Sequence, residues 1–112
     1  MSKPLMSNPV QINFSNGDVY EDANWTEKGI IESPLPPGSA TWRYGMENEI
    51  RLLSFVCPCG CRDVVLVPIR QGAGNSWDWN ENMDAPTLKP SIFRTVGCRW
   101  HGYLTDGKFI TA

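Results

Sequence analysis

A chain of 112 residues with ten Lys/Arg against twelve Asp/Glu, net charge −2 and pI about 5.3, has the size of one domain and is too acidic for a general nucleic-acid coat. Its 41% of apolar residues, with five Trp, four Phe and three Tyr, suffices for a core and argues against wholesale disorder. No apolar run approaches the roughly 20 residues of a membrane span, and the opening MSKPLMSNP lacks the apolar stretch of a signal peptide, so the expected location is the cytoplasm, a reducing compartment.

Residues 10–14 alternate as Val, Gln, Ile, Asn, Phe, the period of a half-buried strand. Asn16-Gly17 before Val19-Tyr20 predicts a two-residue hairpin turn. Pro34, Pro36 and Pro37 cannot donate ladder hydrogen bonds, so residues 33–39 read as a loop or extended crossing. The strongest strand signals, Ile50–Val56 and Val64–Ile69, flank Cys57-Pro58-Cys59-Gly60-Cys61 and predict one hairpin with the cysteines at its tip. Residues 44–53 allow at most a short helical turn. Residues 71–75 form a glycine-rich loop without the Lys-Ser/Thr of a phosphate cradle. Trp77-Asp78-Trp79 and Ser91–Arg94 read as short strands, and residues 84–92, with Pro86 and Pro90, as a rigid brace between them. Asp106-Gly107 joins Tyr103-Leu104 to Phe109-Ile110 in a closing hairpin.

The predicted fold is all-β with minimal helix, a small antiparallel sheet or sandwich stapled by one zinc site. A single domain spans residues 1–112, with an N-terminal hairpin and Pro-rich loop in 1–45 and a zinc-binding β region in 46–112. Charge is uneven: residues 1–50 hold three basic and seven acidic groups, residues 51–112 seven and five. Arg62, Arg70, Arg94 and Arg99 read as solvated positions near the cysteine tip.

Three cysteines within five residues, and Cys98 three positions before His101, the only histidine, point to a metal site, because thiolates in a reducing compartment serve metals more than disulfides. An extended Cys57–Cys61 segment would span about 13 Å, so the segment must fold back, which Pro58 and Gly60 permit. The preferred ligands of one structural Zn2+ are Cys57, Cys61, Cys98 and His101, with Cys59 as the alternative ligand. The His-x-Glu pattern of zinc deaminases and the His-Glu-x-x-His helix are missing. Ser/His/Asp or Cys/His catalysis requires His101 to leave the metal. The residues are therefore read as a structural metal site in a protein that is not an enzyme.

Cys57-Pro58-Cys59-Gly60-Cys61, the Trp-x-Trp of 77–79, Pro86-Thr87-Leu88-x-Pro90-Ser91-Ile92, Cys98-x-x-His101 and the Asp-Gly hairpin occur in that order. This arrangement, over residues 50–112, resembles an uncharacterised family of small bacteriophage and bacterial mobile-island proteins often labelled ammonia monooxygenase. The resemblance implies a zinc-binding β domain, some of whose relatives stand beside ubiquitin-like conjugation or defence genes. The oxygenase label does not suit a chain with one histidine and no cluster fit for copper. The expected function is that of a zinc-stabilised, phage-type accessory protein in a bacterial host cytoplasm, binding a protein partner and modulating a host or defence factor. The alternatives are a zinc-ribbon-like nucleic-acid module using Trp77, Trp79 and Trp100, and a zinc-dependent hydrolase acting through Cys59 or a metal-bound water.

Overall fold

A computed structural model describes residues 9–25, 31–69, 77–94 and 98–112. Its regular structure is entirely β: β1 (Val10–Gln11), β2 (Asn24–Trp25), β3 (Ile31–Glu32), β4 (Ala40–Tyr44), β5 (Ile50–Val56), β6 (Val64–Pro68), β7 (Asp78–Trp79), β8 (Leu88–Phe93), β9 (His101–Thr105) and β10 (Lys108–Thr111). One antiparallel sheet has the order β1-β10-β9-β8-β7, a second β4-β5-β6, and β2 pairs with β3. Among the described residues no helix is long and apolar enough to cross a membrane.

The core lies between the two larger sheets because each presents an apolar face. Leu53, Phe55, Val65 and Val67 of one meet Leu88, Ile92, Leu104 and Phe109 of the other, and the Phe55 and Phe109 rings stand 4.5 Å apart. The Val/Ile/Leu-rich segments of the sequence became β5 and β6, with Val56 opposite Val64 and the cysteine turn at the tip. The closing hairpin forms on Asp106 and Gly107, both at positive φ (51° and 77°), as a right-twisted two-residue turn demands.

The Asn16-Gly17 hairpin does not form. Val10 and Gln11 pair with Phe109 and Lys108 of β10, and the Asn13 carboxamide oxygen turns the chain by accepting bonds from the Ser15 N–H and hydroxyl. Val19 is thereby fully buried against Val56 and Val64, a gain that a solvent-exposed hairpin arm would forgo. Strands from residues 1–45 thus enter both larger sheets. No helical turn occupies residues 44–53: Gly45 N–H bonds to the Glu49 carbonyl and a turn at Asn48 (φ 63°) leads into β5. The expected loop at 71–75 lies outside the described residues.

The brace expected at residues 84–92 is largely strand β8. Its pairing is irregular: Leu88 faces Leu104 and Ile92 faces Gly102, so four steps along β8 match two along β9. Lys89, Pro90 and Ser91 therefore bulge from the ladder, consistent with Pro90 having no N–H to give it.

Gly102, on β9, allows Trp100 to fold back over the sheet. A Cβ there would collide with the Trp100 indole and the Ile110 carbonyl oxygen. Gly102→Ala is expected to cost about 1–3 kcal/mol through overpacking, seen as a lower chemical-denaturation midpoint.

Candidate functional site

The Sγ atoms of Cys57, Cys59, Cys61 and Cys98 lie within 4.8 Å of one another, a group that could hold a metal ion. Cys57 leaves the end of β5, and the turn closes through Gly60 N–H to Cys57 O at 3.2 Å and Cys57 N–H to Asp63 O at 2.8 Å, with Gly60 at φ 95°. Cys57 Sγ is 3.4 Å from both Cys59 Sγ and Cys98 Sγ. Four thiolates around a tetrahedral zinc at about 2.3 Å would stand about 3.8 Å apart, so the donor set fits such an ion after small adjustments. Burial pushes the Cys57 thiol well above its ordinary range and the Cys61 thiol up to about 12. Burial raises Cys98 as well, but hydrogen bonds to its thiolate from Cys59 and the Trp100 N–H outweigh it and bring Cys98 down to about 7.

Arg94 faces this cluster from the end of β8. Its guanidinium donates to Asp63 Oδ2 at 3.0 Å, Cys98 Sγ at 3.3 Å and Cys61 Sγ at 3.8 Å. Both partners of the Arg94–Asp63 pair are buried. Burial opposes the arginine's charge, yet its bonds to Asp63 and Cys98 raise its pKa and keep it a cation, available to offset thiolate charge. Arg94 is therefore not the solvated position read from the sequence.

The structure brings together Cys57, Cys61 and Cys98 of the expected ligand set, completed by Cys59, the alternative ligand. It places His101 elsewhere. Along β9 the side chains alternate: Trp100, Gly102 and Leu104 are buried, while His101, Tyr103 and Thr105 are exposed. His101 thus sits on the outer face, and its Nε2 is 3.1 Å from Ser91 Oγ. The Phe93 and Tyr103 rings flank the imidazole at 5.2 and 6.3 Å. Ser91 is carried on the β8 bulge, and its carbonyl accepts a bond from the Trp77 indole at 3.3 Å, which fixes the backbone behind the hydroxyl. A hydroxyl within reach of an imidazole is the elementary unit of nucleophilic catalysis by serine.

A groove of about 660 Å3 opens beside this pair, bordered by Asp78, Leu88, Lys89, Pro90, Ser91 and Tyr103 among others. The sequence reading passed over Ser91. The available signal was Pro90 inside a strand-like run directly before a serine, since proline within a sheet marks edges and bulges and bulges gather beside active sites.

Comparison with curated proteins gives no match, and neither does comparison with solved structures. A family model described as "bacterial ubiquitination-like system serine protease (BubE)" matches residues 27–112. This finding overturns the expectation of a protein that is not an enzyme. That expectation had spent the only histidine on the metal and so left no base for a serine, whereas His101 stands against Ser91. With the match covering well over half of its length, the chain belongs to the BubE family of bacterial ubiquitination-like system serine proteases.

Proposed function

We propose that this protein is a serine protease that hydrolyses bonds to the acyl end of a ubiquitin-like protein, with Ser91 as nucleophile and His101 as general base. One structural Zn2+ would be held by Cys57, Cys59, Cys61 and Cys98. The observation that carries the reading is the 3.1 Å contact between His101 Nε2 and Ser91 Oγ on an exposed sheet face. The family description supplies the reaction class and the ubiquitin-like setting. The protein partner expected from the sequence then becomes the substrate.

The chemistry balances within the two side chains. Ser91 Oγ attacks the scissile carbonyl carbon while its proton passes to His101 Nε2. The tetrahedral intermediate expels the leaving amine or alcohol, which takes that proton and leaves an acyl ester on Ser91. Water, giving a proton to the same nitrogen, then attacks the ester; the acid departs and the proton returns to Ser91. Four cysteine ligands close a zinc site and leave no open position for water, so zinc would serve the fold and the reaction would run on Ser91 and His101.

An active-site-directed fluorophosphonate tests the assignment. Mass spectrometry should find one adduct per chain, on Ser91, and none after Ser91→Ala. His101→Ala should slow labelling by at least about a hundredfold, the lower range for loss of a positioned base. Labelling at another residue, or none with folded wild-type protein, would refute the reading.

A further inference from the structure

We infer that the groove beside Ser91 is a subsite for an apolar side chain of an extended polypeptide, adjoining the bond that Ser91 attacks. The inference rests on Ser91 being the nucleophile and adds what the substrate must present there. Ser91 borders this hollow and neither of two others, one along Val64–Val67 with Phe93 and one around Phe14, Trp42 and Tyr44. A reacting carbonyl must approach to about 3–3.5 Å of the nucleophile, so the chain bearing it has to run over or into this groove.

Shape and chemistry set the occupant. Pro90 and Tyr103 give the groove apolar surface, over a floor that includes Leu88, which is buried (2% exposed). Its volume falls within the roughly 300–1,000 Å3 of ligand sites. Tyr103 and Thr105 stand two residues apart on one face of β9, about 6.6 Å along a strand. An extended peptide repeats at the same pitch, so one side chain can enter while the next points away. The far end is fixed: Thr87 Oγ1 accepts the Asp106 N–H at 2.8 Å, tying the groove wall to the β9–β10 turn. Asp78 and Lys89 face each other across β7 and β8 and place charge on the groove's border, where the peptide backbone would pass.

Para-nitrophenyl esters from acetate to hexanoate probe the groove without needing the natural substrate. For the wild-type protein kcat/KM should climb roughly fourfold per methylene until the groove is filled. Thr105→Trp, which fills the groove from its β9 wall, should flatten the hexanoate-to-acetate ratio to within about twofold. Should that variant fail to fold, Thr105→Leu should move the preferred acyl chain to a shorter length. Fluorophosphonate labelling of the wild type separates the two readings. Labelling at Ser91 with no chain-length preference, or with a ratio unchanged in a folded Thr105 variant, overturns the groove alone; no labelling at Ser91 overturns both.

Discussion

Ser91→Ala is expected to lower kcat for cleavage of a ubiquitin-like fusion protein by about 10⁴-fold or more, with KM held within about threefold. The hydroxyl is a poor nucleophile until a base takes its proton, and His101 is the only histidine in the chain. His101→Ala should therefore cost a similar factor. The double variant should be no worse than the poorer single one, because nucleophile and base act as one unit and their losses do not add. Stability gives the control. His101 is exposed and Ser91 half-buried, so neither truncation opens a core cavity, and unfolding free energies should stay within about 1 kcal/mol of wild type. Steady-state kinetics on purified protein, with melting curves alongside, checks all of this. A folded Ser91→Ala protein with near wild-type turnover would remove Ser91 from the reaction.

The parts legible in the sequence were those governed by local rules. Ile50–Val56 and Val64–Pro68 are strands because β-branched and aliphatic side chains dominate both runs beside the cysteine turn, and Asp106-Gly107 can adopt the two positive φ angles of a hairpin. The N-terminal segment misled because its best partner is β10, almost a hundred residues away, and no local signal competes with a nonlocal strand pairing. His101 stands apart from the cysteine cluster, against Ser91, although its spacing from Cys98 is that of a zinc ligand pair. The better evidence was the alternation around it: Trp100, Gly102 and Leu104 on one side, His101, Tyr103 and Thr105 on the other, a pattern that puts the histidine on the opposite face from the buried indole. Arg94 could not have been placed from sequence, because a buried arginine is licensed only by partners that folding brings to it, here Asp63 and two thiols from the β5–β6 turn and the segment before β9.

Removal of a metal held by the four cysteines is expected to slow catalysis sharply, even where that ion is purely structural. Arg94 lies three residues after Ser91, its side chain bonded to the cysteine cluster and its N–H to the carbonyl of Trp100 at 2.9 Å. His101 directly follows Trp100, so Ser91 and His101 are both tied through short segments to the cysteine cluster. Without metal the segment from Cys98 to Trp100 loses its ligand bond, and a displacement of about 1 Å at His101 suffices for a hundredfold loss of rate. Chelation should therefore reduce kcat at least a hundredfold and lower the melting temperature by at least about 10 °C, the scale of roughly 2 kcal/mol in a domain of this size. Strand structure held by the inter-sheet core should persist in circular dichroism. Metal affinity should also fall with pH. Cys57 and Cys61 keep their protons through neutrality, which the metal must displace, and below about pH 7 Cys98 takes up another, so the loss steepens. Substitutions separate the ligand sets: Cys59→Ser should lower zinc content below one per chain, whereas His101→Ala should retain one zinc and lose only activity. Metal analysis by plasma mass spectrometry decides between them, and a His101→Ala protein without zinc would return the histidine to the metal.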